Sequence, residues 1–284
     1  MTLEADLLRR FLMAYPFQPA TAFWRAFETA HLVRYGLPDG RGLDIGCGDG
    51  LLTRIVLEFS GPRELVGVDP DPAETDLARK SGVYSHVHTA GAERVPEADS
   101  SFDWALSNSV LEHVDDIGGV LEEAGRLLRP EGLLLITVPG PDFHRCLSGP
   151  WLPRKRAAYL EAVDRRLHHL RYWGPDEWRI ALAPACEVSS VTGYLTASQI
   201  RRWELVSRMT AGVLVAATAG RRRPIEIQRA LGMRRAGRSM SARTAATLAS
   251  VLTAGVPEEG GPPHGCILVI ARRRSQGDTF DPIQ

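Results

Sequence analysis

Asp44, Gly46, Gly48 and Asp69 have the types and spacing to hold a polar, nucleoside-like ligand. Gly42-Leu43-Asp44-Ile45 reads as a short buried strand that runs into a glycine turn, Gly46 to Gly50, and then into a helix over residues 51–59. Backbone N–H groups converge where such a strand ends, as at many nucleotide sites. A dinucleotide fingerprint needs G-x-G-x-x-G, and Leu51 stands where its third glycine would be. The spacing Asp44-x-Gly46-x-Gly48-x-Gly50 suits a ligand with an amino-acid moiety and no phosphate. Asp44 can accept from an ammonium group, while Gly46 and Gly48 let the backbone approach a ribose and a carboxylate. Asp69 ends the next apolar strand, Val66-Gly67-Val68, and can accept from both ribose hydroxyls, because an ionised carboxylate only accepts. Cys47 and Pro70 flank these positions and belong to the same expected site.

Two more segments follow in order: Phe102-Asp103-Trp104-Ala105-Leu106-Ser107-Asn108-Ser109-Val110-Leu111-Glu112-His113-Val114, and Leu127-Leu128-Arg129-Pro130-Glu131-Gly132 leading into the apolar run 133–138. Together with the glycine turn and the Asp69 strand, these motifs resemble the S-adenosylmethionine site of class I methyltransferases, in the group that includes ubiquinone- and menaquinone-type enzymes. The resemblance covers roughly residues 40–140. It implies a Rossmann-like α/β fold with a seven-stranded, mostly parallel sheet and an antiparallel last strand. It implies S-adenosylmethionine as methyl donor and S-adenosylhomocysteine as product. The family usually carries an Asp, bonded to the adenine amino group, at the position of Gly91, so adenine recognition falls to backbone near Ala92 or to Glu93. Ser107 and Asn108, at the carboxyl end of their strand, should face the methyl group. His113 belongs to the family signature, and in relatives it is generally part of the strand-to-helix scaffold.

The chain of 284 residues, 44% apolar, is long enough for one large α/β domain with an appendage. No stretch reaches the length of a bilayer-spanning helix and the N-terminus lacks a signal-type core, so a cytoplasmic location is expected. Cys47, Cys146, Cys186 and Cys266 are scattered without paired metal spacing, and are expected to be reduced and structural; no metal site is expected. The formal net charge is zero, yet residues 1–140 are acidic on balance and residues 141–284 equally basic. A solvated basic face or a meeting with something anionic would each produce that asymmetry.

Around these motifs the apolar periodicities set out the elements. Residues 2–14 and 19–35 read as amphipathic helices, an N-terminal lid over residues 1–40 by analogy with the family. Residues 41–140 form the cofactor-binding core, with a helix over 116–128, a Pro-Gly turn over 129–132 and a central strand over 133–138. Residues 141–195 form a cap rich in arginine and aromatics, ending in a helix begun at Gly174-Pro175 and a sixth strand over 187–195. A helical insertion over 196–265, with tracts at 203–219 and 242–252, precedes a last strand at 266–274 and a tail at 275–284. The apolar run 209–219 suits packing on the body, a subunit interface of a homo-oligomer, or a peripheral membrane contact.

Methyl transfer from a sulfonium is an in-line displacement, and a base is needed only for a hydroxyl, an acidic carbon or a protonated amine. His144, His169 and Tyr172 are the candidates for it, in the loosely patterned cap. Tyr15, Trp151, Arg171 and Trp173 are the expected acceptor contacts, with arginine suited to a phosphate or carboxylate handle. The acceptor is expected to be a small molecule. The chain lacks the Asn/Asp-Pro-Pro-aromatic sequence that grips a base amine, which argues against DNA, and its zero net charge speaks against RNA. A non-catalytic, cofactor-binding assembly or membrane-surface protein is the competing class.

Overall fold

The computed structural model describes residues 2–150, 155–212, 230, 239–257 and 260–275. They divide into two compact units, each discontinuous in sequence. The first comprises residues 1–35, 142–167 and 194–265; the second comprises 36–141, 168–193 and 266–284.

The sheet, nearly all of it in the second unit, consists of strands β1 (Arg41–Ile45), β2 (Glu64–Asp69), β3 (His86–Thr89), β4 (Phe102–Asn108), β5 (Leu128–Pro139), β6 (Cys186–Thr196) and β7 (His264–Arg273). Their order is β3-β2-β1-β4-β5-β7-β6 in one seven-stranded sheet. The β1–β2, β1–β4, β2–β3 and β4–β5 pairs are parallel, and β7 runs antiparallel to β5. Leu43, Ile45, Val66, Val68, Ala105, Leu134 and Ile136 are buried in one core, since a parallel sheet covered on both faces needs apolar runs rather than alternation. Helices α3 (Leu51–Ser60), α4 (Pro72–Ser81), α5 (Ile117–Leu127) and α8 (Pro175–Leu182) supply the crossovers and cover. The expected mixed sheet with an antiparallel last strand is therefore present, and β7 sits next to β6.

The expected turn over 129–132 is instead part of a strand. Helix α5 stops at Leu127 and β5 begins at Leu128, pairing Phe102 with Leu128 and then Trp104 with Leu133. Residues 129–132 thus bulge opposite Asp103, with Glu131 at φ 66. A Cβ on Gly132 would lie 2.8 Å from the Arg129 carbonyl, so the bulge can close only at glycine. Proline here marks the bulge, not the end of pairing.

The first unit is helical: α1 (Leu3–Ala14), α2 (Pro19–Tyr35), α6 (Phe143–Cys146), α7 (Arg156–Leu167), α9 (Ala197–Ser207) and α10 (Ala242–Thr253). The α1 and α2 positions follow the apolar periodicity, whereas α7 was not legible because its burial is slight and Val163 is its buried residue. Helix α9 starts six residues before the expected tract, capped by Thr196 with Gln199 reaching back to the cap. Trp24, Phe143 and Trp203 form an edge-to-face cluster with centroids 5.1–6.0 Å apart. Beyond a π-helical turn over Arg208–Gly212, the apolar run to residue 219 lies outside the described residues, as do Trp151 and the tail after 275. Among the described residues no helix is long and apolar enough to cross a membrane. All four cysteines are buried, and burial raises the Cys146 and Cys186 thiols to about 11, which keeps them unreactive.

Candidate functional site

The glycine turn after β1 is held from beneath by β2. Gly46 N and Cys47 N both donate to the Val68 carbonyl, at 2.8 and 3.0 Å, and Gly48 N donates to Asp69 Oδ2 at 3.0 Å. The converging N–H groups expected to face a ligand are thus largely spent inside the loop, because buried backbone donors must be paired whether or not a ligand is present. What the turn offers is space. Gly46 lies at φ 75 with Val110 packed where its Cβ would be, while Gly48, at φ 53, has no atom within 4 Å of that position. Asp69 also accepts from Asp71 N at 2.9 Å, which fixes its carboxylate at the end of β2. Pro70 follows it directly, and Cys47 packs over Gly67.

Asp44 is buried, and its Oδ2 accepts from Thr53 Oγ1 at 2.5 Å and Tyr84 Oη at 2.6 Å. The carboxylate beside Tyr84 and the burial of the ring push that phenol well above its ordinary range, burial being the larger cause. Thr53 and Tyr84 are functional neighbours that the sequence did not disclose: Thr53 reads as an ordinary helix residue, and Tyr84 lies forty residues away. Glu93 curls over Gly91, its Oε1 only 2.1 Å from where a Gly91 Cβ would stand, so its carboxylate occupies the space left by the missing side chain. Ala92 lies between them, partly buried against the core.

At the carboxyl end of β4, Asn108 Oδ1 accepts from Thr137 Oγ1 at 2.9 Å. Ser109, at φ 51, donates its N–H to Thr137 O at 2.9 Å. Ser107 Oγ is buried and finds no partner among the described residues. The short 3₁₀ turn Leu111–His113 follows, and residues 168–172 are strapped to it. Leu170 N donates to Glu112 O at 2.9 Å, the Arg171 guanidinium donates to Leu111 O, and His113 Nδ1 lies 2.8 Å from His168 O. A carbonyl only accepts, so His113 carries its proton on Nδ1. His169 Nδ1 lies 3.0 Å from Tyr172 Oη.

The strap brings His169, Tyr172, Arg171 and Trp173 together in the second unit. Arg171, expected to read an anionic substrate, pins the strap and lies over Trp173, 5.4 Å from the ring centroid; Trp173 in turn packs on Trp178. His144 and Tyr15 belong to the first unit. There His144 Nε2 bonds Asp164 Oδ1 at 2.8 Å, and the Tyr15 ring stacks on Phe11 at the end of α1.

The profile of a family described as "Methyltransferase domain" matches residues 43–136. The ubiquinone biosynthesis O-methyltransferase of Chelativorans sp. is 30% identical over 184 residues, 62% of this chain and 70% of that enzyme. The chain belongs to the class I S-adenosylmethionine-dependent methyltransferases. The ubiquinone biosynthesis O-methyltransferase of Azorhizobium caulinodans is 36% identical to this methyltransferase over 126 residues, covering 40% of the chain but only 49% of that relative. A crystal structure of an S-adenosylmethionine-dependent methyltransferase from Thermotoga maritima shares the fold, with TM-score 0.54, 20% identity and coverage of 96% and 100% of the two chains.

The residues present fit the family's methyl donor. Open space over Gly48, the fixed Asp69 carboxylate and the orphaned buried Ser107 hydroxyl stand at the carboxyl ends of β1, β2 and β4, where ligands of open α/β sheets bind.

Proposed function

We propose that this methyltransferase methylates a hydroxyl oxygen of a small molecule, presented at the strap beside the end of β4. The observation that carries the reading is the His169–Tyr172 pair, 3.0 Å apart and fastened to the Leu111–His113 turn. Oxygen is the acceptor that most needs a proton removed, and a fixed imidazole–phenol pair is suited to removing it. The names of the relatives from Chelativorans sp. and Azorhizobium caulinodans, both O-methyltransferases, favour oxygen as well.

Asp69 would hold the ribose hydroxyls of S-adenosylmethionine, Glu93 or the backbone at Ala92 the adenine amino group, and Asp44, Gly46, Cys47, Gly48 and Pro70 would shape the wall around its amino-acid end. Ser107 and Asn108 would line the side nearest the methyl group. The bound sulfonium supplies an activated methyl carbon. The chain's own task is then to orient the acceptor oxygen in line with that carbon, exclude water and take up the proton, at His169 with Tyr172 holding the ring. Arg171 and Trp173 would act as supports of the strap.

The test uses a panel of small phenols and hydroxy acids with S-adenosylmethionine, followed by release of S-adenosylhomocysteine. With the acceptor so found, His169→Ala is expected to lower kcat about 100-fold and Tyr172→Phe by less, while calorimetric affinity for S-adenosylmethionine stays unchanged. Full turnover per folded molecule in His169→Ala would reject the assignment of His169.

A further inference from the structure

Glu112, His113 and His169 each offer a ligand atom, and these three atoms lie within 4.8 Å of one another. The Glu112 side chain is buried and both imidazoles are partly buried. His113 Nε2 stands 3.8 Å from Glu112 Oε1. Ligands bound at about 2.1 Å to a tetrahedral ion lie about 3.4 Å apart, so the Glu112–His113 pair, at 3.8 Å, is nearly at ligand spacing, and no pair of the set, all within 4.8 Å, would have to close by more than about 1.4 Å. We propose that Glu112, His113 and His169 bind a divalent transition-metal ion, Zn²⁺ by its chemistry, beside the acceptor position. This rests on reading the strap as the acceptor side.

Three features carry the inference beyond proximity. The ring tautomer is set: His113 Nδ1 gives its proton to the His168 carbonyl, which directs the Nε2 lone pair toward Glu112. That is the outer hydrogen bond by which metal-binding histidines are commonly oriented, and His169 has the equivalent partner in Tyr172. The two stretches that contribute ligands are held in register by Leu170 N on Glu112 O and by Arg171 on Leu111 O. His168 sits at φ 61, a backbone conformation unfavourable for a side chain beyond glycine, and it is this residue's carbonyl that meets the His113 ring. Two imidazoles and one carboxylate suit a first-row transition ion; Mg²⁺ and Ca²⁺ prefer all-oxygen sets. The scattered cysteines gave no hint of it, because the ligands come from distant stretches of sequence and none is a cysteine.

An acceptor hydroxyl on such an ion would lose its proton to solvent as it binds, before water is excluded; the oxygen would then attack the methyl carbon, and the carbon–sulfur bond would break with its electron pair left on sulfur. With the ion bound, His169 is a ligand in place of the base it would be in a metal-free site, and the ion makes the hydroxyl acidic.

The probe is Co²⁺ alone, titrated into full-length protein stripped with a chelator and dialysed. One equivalent is expected to give a visible absorption band that Zn²⁺ displaces. His169→Ala and Glu112→Gln should each weaken binding more than 100-fold, and Tyr172→Phe about tenfold. His86→Ala, on strand β3 at the sheet edge, should leave it unchanged. Circular dichroism checks folding of each variant, and His169→Ala, a truncation of a partly exposed ring, keeps the test decisive if Glu112→Gln fails to fold. Absence of a stoichiometric band, or an equal band in His169→Ala, overturns the site. S-adenosylmethionine binding by the chelator-treated protein is measured separately, so a failed metal site and a failed methyltransferase reading give different results.

Discussion

Gly91 and Glu93 make an exchange that can be tested at single residues. A side chain at 91 would meet the Glu93 carboxylate, which has folded into that space. If Glu93 reads the adenine amino group, Glu93→Ala should weaken S-adenosylmethionine binding about tenfold, the effect of one charge-assisted hydrogen bond. Gly91→Asp in that background should restore most of the affinity, because the new carboxylate enters from the vacated side. Calorimetry on the three variants decides; an Asp that restores nothing would mean the backbone, not a carboxylate, meets adenine. The acid–glycine spacing pointed to Asp44, Gly48 and Asp69, and the fold sets them at the ends of β1 and β2. Their partners were not legible: Tyr84 reaches Asp44, and His169 reaches His113, only through the fold.

Elements are tied by buried charge as well as by apolar faces. Glu204 on α9 is almost wholly buried and accepts from Ser148 N at 2.7 Å, Gly149 N at 3.3 Å, Tyr159 Oη and Arg208 at 2.6 Å. One carboxylate thus joins α9 to the segment after α6, to α7 and to the following turn. Glu204→Ala would leave four donors without their acceptor, one of them a guanidinium, and should cost about 3–5 kcal/mol. A urea midpoint measures it, and a loss below about 1 kcal/mol would show that water replaces the carboxylate. Strand and helix positions were readable wherever apolar periodicity was strong, as in α1 and β4. Periodicity said little about α7, whose surface is mostly polar, or about β5, where Pro130 and Gly132 look like a stop but form a bulge.

On the scale of the whole molecule, acid stability should trace to one rim of the sheet. Asp103 is held below its ordinary 3.8 chiefly by the Arg41 backbone N–H, with Arg129 adding to it. Glu123 is held below 4.5 chiefly by its hydrogen bonds from Arg126. Burial pushes Glu97 up, but His88 and Arg41 together outweigh it and its value also falls. Because the folded values are depressed, these carboxylates stabilise the fold above about pH 4.5 and that contribution disappears as pH drops below it. Asp103→Asn should therefore lower Tm at pH 7 while flattening the decline between pH 5 and pH 3, read by thermal melts across that range. An unchanged slope would place the acid sensitivity elsewhere. A different consequence follows from the sheet order. The final strand, β7, lies between β5 and β6, so as the chain leaves the ribosome β5 waits with an open edge through the synthesis of some 130 residues. The sheet closes only once β7 has been made, and during that wait the open edge of β5 is a natural client for whatever shields exposed strands in the cell.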